Sequence, residues 1–161
     1  MKHKTLSFLL AVLMSMTAST VSAYDFMVNG IYYRLNYEGW TDRAMVTYYD
    51  ASSLSSNKYA YSGDVVIPEN VKYNGIVYRV TSIDMSAFLC CSELTSVTIP
   101  NSVASIGDGA FRYCTGLTSV VIPESVEVIG AEAFYGCSSL ESITIPDLVT
   151  DIMDCAFAYC I

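Results

Sequence analysis

The chain has 161 residues, 53% hydrophobic and 15% charged, which excludes a disordered chain and fits one domain. It carries 8 Lys+Arg against 16 Asp+Glu, net −8, and loss of a leader holding Lys2 and Lys4 leaves 6 against 16, net −10. Nucleic acid and anionic membrane surfaces do not attract such a chain.

Met1 to Ala23 reads as a secretory signal. Lys2, His3 and Lys4 make a basic start, Leu6 to Met16 is apolar, and small residues lead to Val21 and Ala23 at the cleavage positions. The apolar run is too short for a membrane span, which needs about 20 residues. No later segment is a continuous apolar span, so no transmembrane segment is expected. His3 is the only histidine. The exported chain therefore has none for a Ser-His-Asp or Cys-His mechanism, or for a His-ligated metal.

Tyr24 to Asp64 reads as a β-rich cap, because ten of the 13 tyrosines lie between Tyr24 and Tyr78. Asn29-Gly30-Ile31 is echoed by Asn74-Gly75-Ile76, and Asn-Gly between apolar flanks signals a hairpin. Trp40, Tyr48 and Tyr49 form a candidate aromatic patch, since Trp and Tyr anchor interfaces. Packing within the cap is the competing reading.

The rest of the chain repeats. Phe88, Phe111, Phe134 and Phe157 recur every 23 residues, as do Pro100, Pro123 and Pro146, and Cys91, Cys114, Cys137 and Cys160. Within a unit, Leu94-x-x-Val97-x-Ile99 predicts a short strand that Pro100 stops. Val103 and Ile106 predict a second extended piece. Ala110, Phe111 and Cys114 have the spacing of one helical turn. Gly107 and Gly130 share a column that Met153 breaks, and a left-handed backbone there would strain Met153. One coil cannot offset its own ordering entropy, so stacking is obligatory.

On Ile-Pro at 99–100, 122–123 and 145–146, and Ala-Phe at 110–111, 133–134 and 156–157, the chain resembles the 23-residue treponemal-type leucine-rich repeats of BspA-like bacterial surface proteins. The resemblance covers Val66 to Ile161. It implies a right-handed leucine-rich-repeat solenoid, a parallel β-sheet with short helical turns, preceded by the β-rich N-terminal cap. It also implies adhesion to host, matrix or bacterial surface proteins, without carrying over a ligand. The expected division is a signal peptide at 1–23, a cap at 24–64 and repeats at 65–161. The last coil is incomplete at Ile161, through truncation or fraying.

Chemistry is sparse. Cys91, Cys114, Cys137 and Cys160 share an inward column and read as a buried thiol ladder, with disulfides or a metal site as alternatives that the lack of C-x-x-C weakens. Cys90 and Cys155 are off that column. The pairs Glu124/Glu127 and Asp151/Asp154 are the only carboxylates that could serve a hydrolase as acid and base. Their columns point outward, and sister coils hold Asn101 and Ala104 there. The outward strand positions are Thr95, Ser96 and Thr98, then Thr118, Ser119 and Val121, then Glu141, Ser142 and Thr144. They form a candidate binding face, though β-branched hydroxyl residues also simply suit exposed strands.

The expected function is a secreted, surface-exposed or periplasmic interaction module with an extracellular protein ligand and adhesin-like binding. It has no enzymatic activity, no catalytic residue, no metal and no cofactor. A structural spacer or a fragment of a longer adhesin is the alternative, and a carboxylate hydrolase ranks last. The sequence sets no oligomeric state.

Overall fold

Two Asn-Gly pairs start the architecture. The structure, a computed structural model, describes residues 24–35, 42–48 and 61–160. Asn29 and Gly30 have φ of 51° and 79°, Asn74 and Gly75 of 49° and 82°. Positive φ at both central residues matches the twist of paired strands, so each pair closes a hairpin. The first joins β1 (Phe26–Val28) to β2 (Ile31–Leu35), and the second joins β5 (Asn70–Tyr73) to β6 (Ile76–Ile83). The signal-like segment 1–23 lies outside the described residues.

β6 is the joint of the fold. Its second half, Arg79 to Ile83, pairs in parallel with β3 (Arg43–Thr47), which lies antiparallel to β2. Its last residues, Ser82 and Ile83, pair in parallel with β8 (Ser105–Ile106). β10 (Val128–Ile129) and β11 (Asp151–Ile152) continue that ladder one coil at a time. The sheet at the N-terminal end thus runs unbroken into the repeats. Asp84 clasps the junction. It pairs with Arg34, accepts from Thr47 Oγ1 at 3.2 Å, and its amide donates to the Val46 carbonyl at 2.8 Å.

A second parallel sheet contains β4 (Gly63–Val66), β7 (Leu94–Thr98) and β9 (Ser119–Val121). Ile67-Pro68, Ile99-Pro100 and Ile122-Pro123 each follow a rung of this sheet. Pro has no N–H to give a ladder, and the Pro100 and Pro123 carbonyls accept from Val103 and Val126 in a tight turn toward the other sheet. The core lies between the sheets and the third side of the coil. Leu94, Val97, Val103, Ile106, Ala110, Phe111 and Cys114 are buried, together with their counterparts one coil on.

The third side is a run of overlapping three-residue turns rather than an α-helix. The Ala110, Arg112 and Cys114 amides donate to carbonyls three residues back. The alternate amides of Gly109, Phe111 and Tyr113 donate to the next coil, to the Ala131, Ala133 and Tyr135 carbonyls, at 2.7–2.8 Å. Two left-handed residues per coil redirect them. One column is Ser86, Gly109, Glu132 and Cys155 (φ 55–58°), and the other is Cys90, Tyr113, Gly136 and Tyr159 (φ 59–71°). The Gly107 column is therefore not the left-handed one, and Met153 is not strained in that way. Gly107 and Gly130 serve close approach instead. A Cβ at Gly107 would lie 2.7 Å from the Met85 amide nitrogen.

Two columns run through the core along the stack. The rings of Phe88, Phe111, Phe134 and Phe157 lie 4.8–5.3 Å apart within 9° of parallel. Tyr61 heads them, 4.5 Å from Phe88, and its hydroxyl donates to the Thr47 carbonyl. In the other column, Cys114, Cys137 and Cys160 Sγ donate to the carbonyls of Phe88, Phe111 and Phe134 at 2.9–3.1 Å. Each Phe carbonyl already accepts the amide three residues on, so the thiol uses its second lone pair. All six cysteines are free. Burial pushes the Cys91 and Cys137 thiols up from 9.0 to about 12, and Cys114 well above 9.0.

Phe111→Ala should destabilise the protein by about 3–5 kcal/mol, because a fully buried ring leaves a cavity between two others. An unchanged denaturation midpoint would contradict the stack. The thiols predict a pH slope. The ordered chain keeps protons that the unfolded chain loses above about pH 9, so stability is full below pH 9 and falls as pH rises toward 12, by about 1.4 kcal/mol per unit for each such thiol. Urea midpoints at pH 8 and pH 10 measure it, and Cys137→Ala should flatten the slope. The inter-coil ladder predicts hydrogen exchange: amides of Glu132, Phe134 and Gly136 donate to the next coil, whereas those of Cys155, Phe157 and Tyr159 have no such partner among the described residues. In the 161-residue chain the second set should exchange faster, and equal protection would sink this account.

Candidate functional site

Of the strand positions singled out from the sequence, Thr95, Ser96, Thr98, Ser119 and Val121 lie on the exposed face of the β4–β7–β9 sheet, Thr118 just precedes β9, and Glu141, Ser142 and Thr144 lie on a segment that forms no strand. Alternation places Leu94, Val97 and Ile99 inward and leaves their neighbours outward. Thr95, Thr98, Thr118, Ser119, Val121, Glu141, Ser142 and Thr144 are exposed, and Ser96 is half-buried. Residues 141–145 continue the coil beside β9 without strand pairing.

Register sorts these residues into lanes that cross the strands. Val66, Thr98 and Val121 are direct partners, and Thr144 follows at the repeat spacing, a β-branched lane in which Val66 is 66% and Val121 68% exposed. Asp64, Ser96 and Ser119 make the next lane, which Ser142 extends. Asp64 is fixed there, since Oδ1 accepts from Ser96 Oγ at 2.6 Å and Thr95 Oγ1 at 2.8 Å. Those hydrogen bonds, Ser96's first, hold its carboxyl below the ordinary value, so it stays ionised on this face at neutral pH. At the same end Asn29, Ile31, Tyr61, Ser62, Asp64 and Val66 line a shallow depression.

Sequence reasoning passed over Asp64, although the signal was present. Val66-Ile67-Pro68 aligns with Thr98-Ile99-Pro100, and two steps back along each segment sets Asp64 beside Ser96. The hairpin inserted after Pro68 stretches that offset to 32 residues and hides it from a search at 23. Of the aromatic patch, Tyr48 is half-buried just after β3, and Trp40 and Tyr49 lie outside the described residues.

The remaining candidates are dispersed. Glu124, Glu127, Asp151 and Asp154 are all exposed, in line with outward columns. Among the described residues no group of three or more His, Cys, Asp or Glu could hold a metal ion. No helix there is long and apolar enough to cross a membrane. The face offers hydroxyls, methyl groups and one pinned carboxylate. On the third side of the coil a row of tyrosines, Tyr113, Tyr135 and Tyr159, is a further feature that the sequence reading missed.

Comparison with known proteins places this geometry. The BspA type leucine rich repeat region matches residues 68–161 in six copies. A leucine-rich repeat protein from Bacteroides ovatus is 35% identical with a TM-score of 0.73, over 85% of this chain and 33% of its own. A leucine rich cell surface protein from Faecalibacterium prausnitzii is 31% identical with a TM-score of 0.66, over 84% and 34%. The leucine rich repeat protein of T. pallidum, 23% identical with a TM-score of 0.60 over 84% and 67%, shares the fold. No curated protein matches the chain. The chain spans about a third of the length of the first two of these solved proteins. With its 23-residue coils, parallel ladders and stacked Phe column, the chain belongs to the BspA-type leucine-rich-repeat family.

Proposed function

We propose that this chain is a surface-exposed or secreted protein-interaction module, adhesin-like, that receives an extracellular protein ligand on the open face of the β4–β7–β9 sheet. The observation that carries the reading is the β-branched lane of Val66, Thr98, Val121 and Thr144, whose two valines and two threonine methyls are open to solvent, beside a hydroxyl lane. An exposed apolar strip rimmed by hydrogen-bonding groups fits a protein contact better than small-molecule chemistry. Export follows from the basic start, apolar run and small residues of Met1 to Ala23, and kinship with a cell surface protein supports the location. In this reading residues 24–64 cover the first coil, and the repeats present the face.

The test is capture of extracellular-matrix proteins by the exported chain, next to an unrelated solenoid. Binding above that control is expected. Val121→Arg sets a long cation in the lane at an exposed position and should weaken binding at least about 10-fold without moving the denaturation midpoint. Capture no better than the control, or capture indifferent to Val121→Arg, would remove the sheet face from the function.

A further inference from the structure

Tyr113, Tyr135 and Tyr159 line the outside of the turn segments. Ring centroids are 5.5 Å apart for the first pair and 4.9 Å for the second. Tyr113 is 41% and Tyr159 65% exposed. Tyr113 and Tyr159 occupy one left-handed column, both at φ 59°, with Gly136 between them. A Cβ on Gly136 would lie 2.7 Å from Tyr113 Cδ1, so the glycine leaves the space that the Tyr113 ring fills. Tyr135, one residue earlier, supplies the middle ring. Left-handed φ is unfavourable for a bulky side chain, so two tyrosines here cost stability where glycine would not.

The row already holds one cation. The Arg112 guanidinium lies 5.0 Å from the Tyr113 ring centre and 5.2 Å from that of Tyr135. Its Nη1 is 2.7 Å from Glu132 Oε2. Aromatic faces attract guanidinium, and the paired carboxylate completes the site. The next ring pair, Tyr135 and Tyr159, is closer and tilted, at 4.9 Å and 54° against 5.5 Å and 90° for the first. The repeat brings no second arginine to it, because the positions after Arg112 in this column are Tyr135 and Ala158. The repeat counterpart of Glu132 is Cys155, and the exposed Asp154 next to it is the neighbouring carboxylate in sequence. From Asp84 to the end the chain has ten acids and one base, Arg112, so its field favours cationic partners.

We propose that the Tyr135–Tyr159 gap receives an arginine side chain from a basic patch on a partner protein, as the Tyr113–Tyr135 gap receives Arg112. The proposal rests on reading the chain as a protein-interaction module, but it uses a different side of the coil from the sheet face.

The test titrates the isotope-labelled 161-residue chain with a short peptide of alternating glycine and arginine, and with its lysine counterpart, at low salt. The arginine peptide should bind more tightly and shift the amides of Tyr135, Gly136 and Tyr159. Tyr159→Leu and Tyr135→Leu keep the net charge, so they separate ring stacking from bulk attraction. Each should weaken arginine-peptide binding about 3- to 10-fold, while Val121→Arg on the sheet face should leave the ring-dependent shifts in place. No binding, binding as tight in both Tyr variants, or shifts gathered on Thr95, Ser119 and Ser142 would overturn the proposal. Matrix-protein capture that survives both Tyr variants but not Val121→Arg would leave the sheet-face reading standing and remove this one.

Discussion

A coil of 23 residues has two broad faces and cannot cover either by itself, so each coil is stable only against a neighbour. Three hydrogen-bonded ladders meet that need, one on each sheet and one along the turns. The turn ladder is the unusual one. An ordinary helical turn would spend its amides within the coil. Two left-handed residues per coil swing alternate amides outward, so three bonds per coil pass to the next. That common pitch brings Phe onto Phe at about 5 Å and the thiols of Cys114, Cys137 and Cys160 onto the Phe carbonyl of the previous coil. A small side chain with a weak donor suits that position. Burial keeps it protonated, so the column packs rather than reacts.

The inward columns were legible because stacking fixes residue type there. Phe, Cys, Leu and Ile recur at one step, and that alone yields the solenoid, the strand ended by Pro and the buried thiols. The left-handed columns were not legible, because they are defined by backbone and not by side chain. Ser86, Gly109, Glu132 and Cys155 share no chemistry, nor do Cys90, Tyr113, Gly136 and Tyr159. The glycine column that did catch the eye, Gly107 and Gly130, has another cause, a neighbouring backbone too near for a Cβ. The junction at the N-terminal end was legible only in its hairpin turns. That β6 belongs to both the hairpins and the repeats is a matter of long-range pairing, which no local pattern reports.

The same contrast explains the candidate face. Outward strand positions follow directly from alternation, so Thr95 through Thr144 could be named at once. Asp64 could not, because its neighbours Thr95 and Ser96 are brought to it by register across an inserted hairpin. The four carboxylates that sequence spacing offered as pairs are all exposed. They stay in solvent, on columns where sister coils hold unrelated residues. What the chain concentrates on its surface is contact chemistry, in rows set by the coil pitch.

Those rows follow a rule that separates architecture from recognition. An outward position can vary from coil to coil at little cost, so a hydroxyl, a valine or a glutamate there carries little structural meaning. Positions at positive φ are different, because any side chain other than glycine works against the backbone. Gly109 and Gly136 show that glycine is accepted in both columns. Tyr113 and Tyr159 therefore each carry a backbone cost, as Cys90 does in the same column. Gly136 stands between them where a third side chain would collide with Tyr113, and Tyr135 enters from the adjacent column to keep the row continuous. Backbone cost, spacing and the seated Arg112 make that row a surface feature that stacking alone does not require.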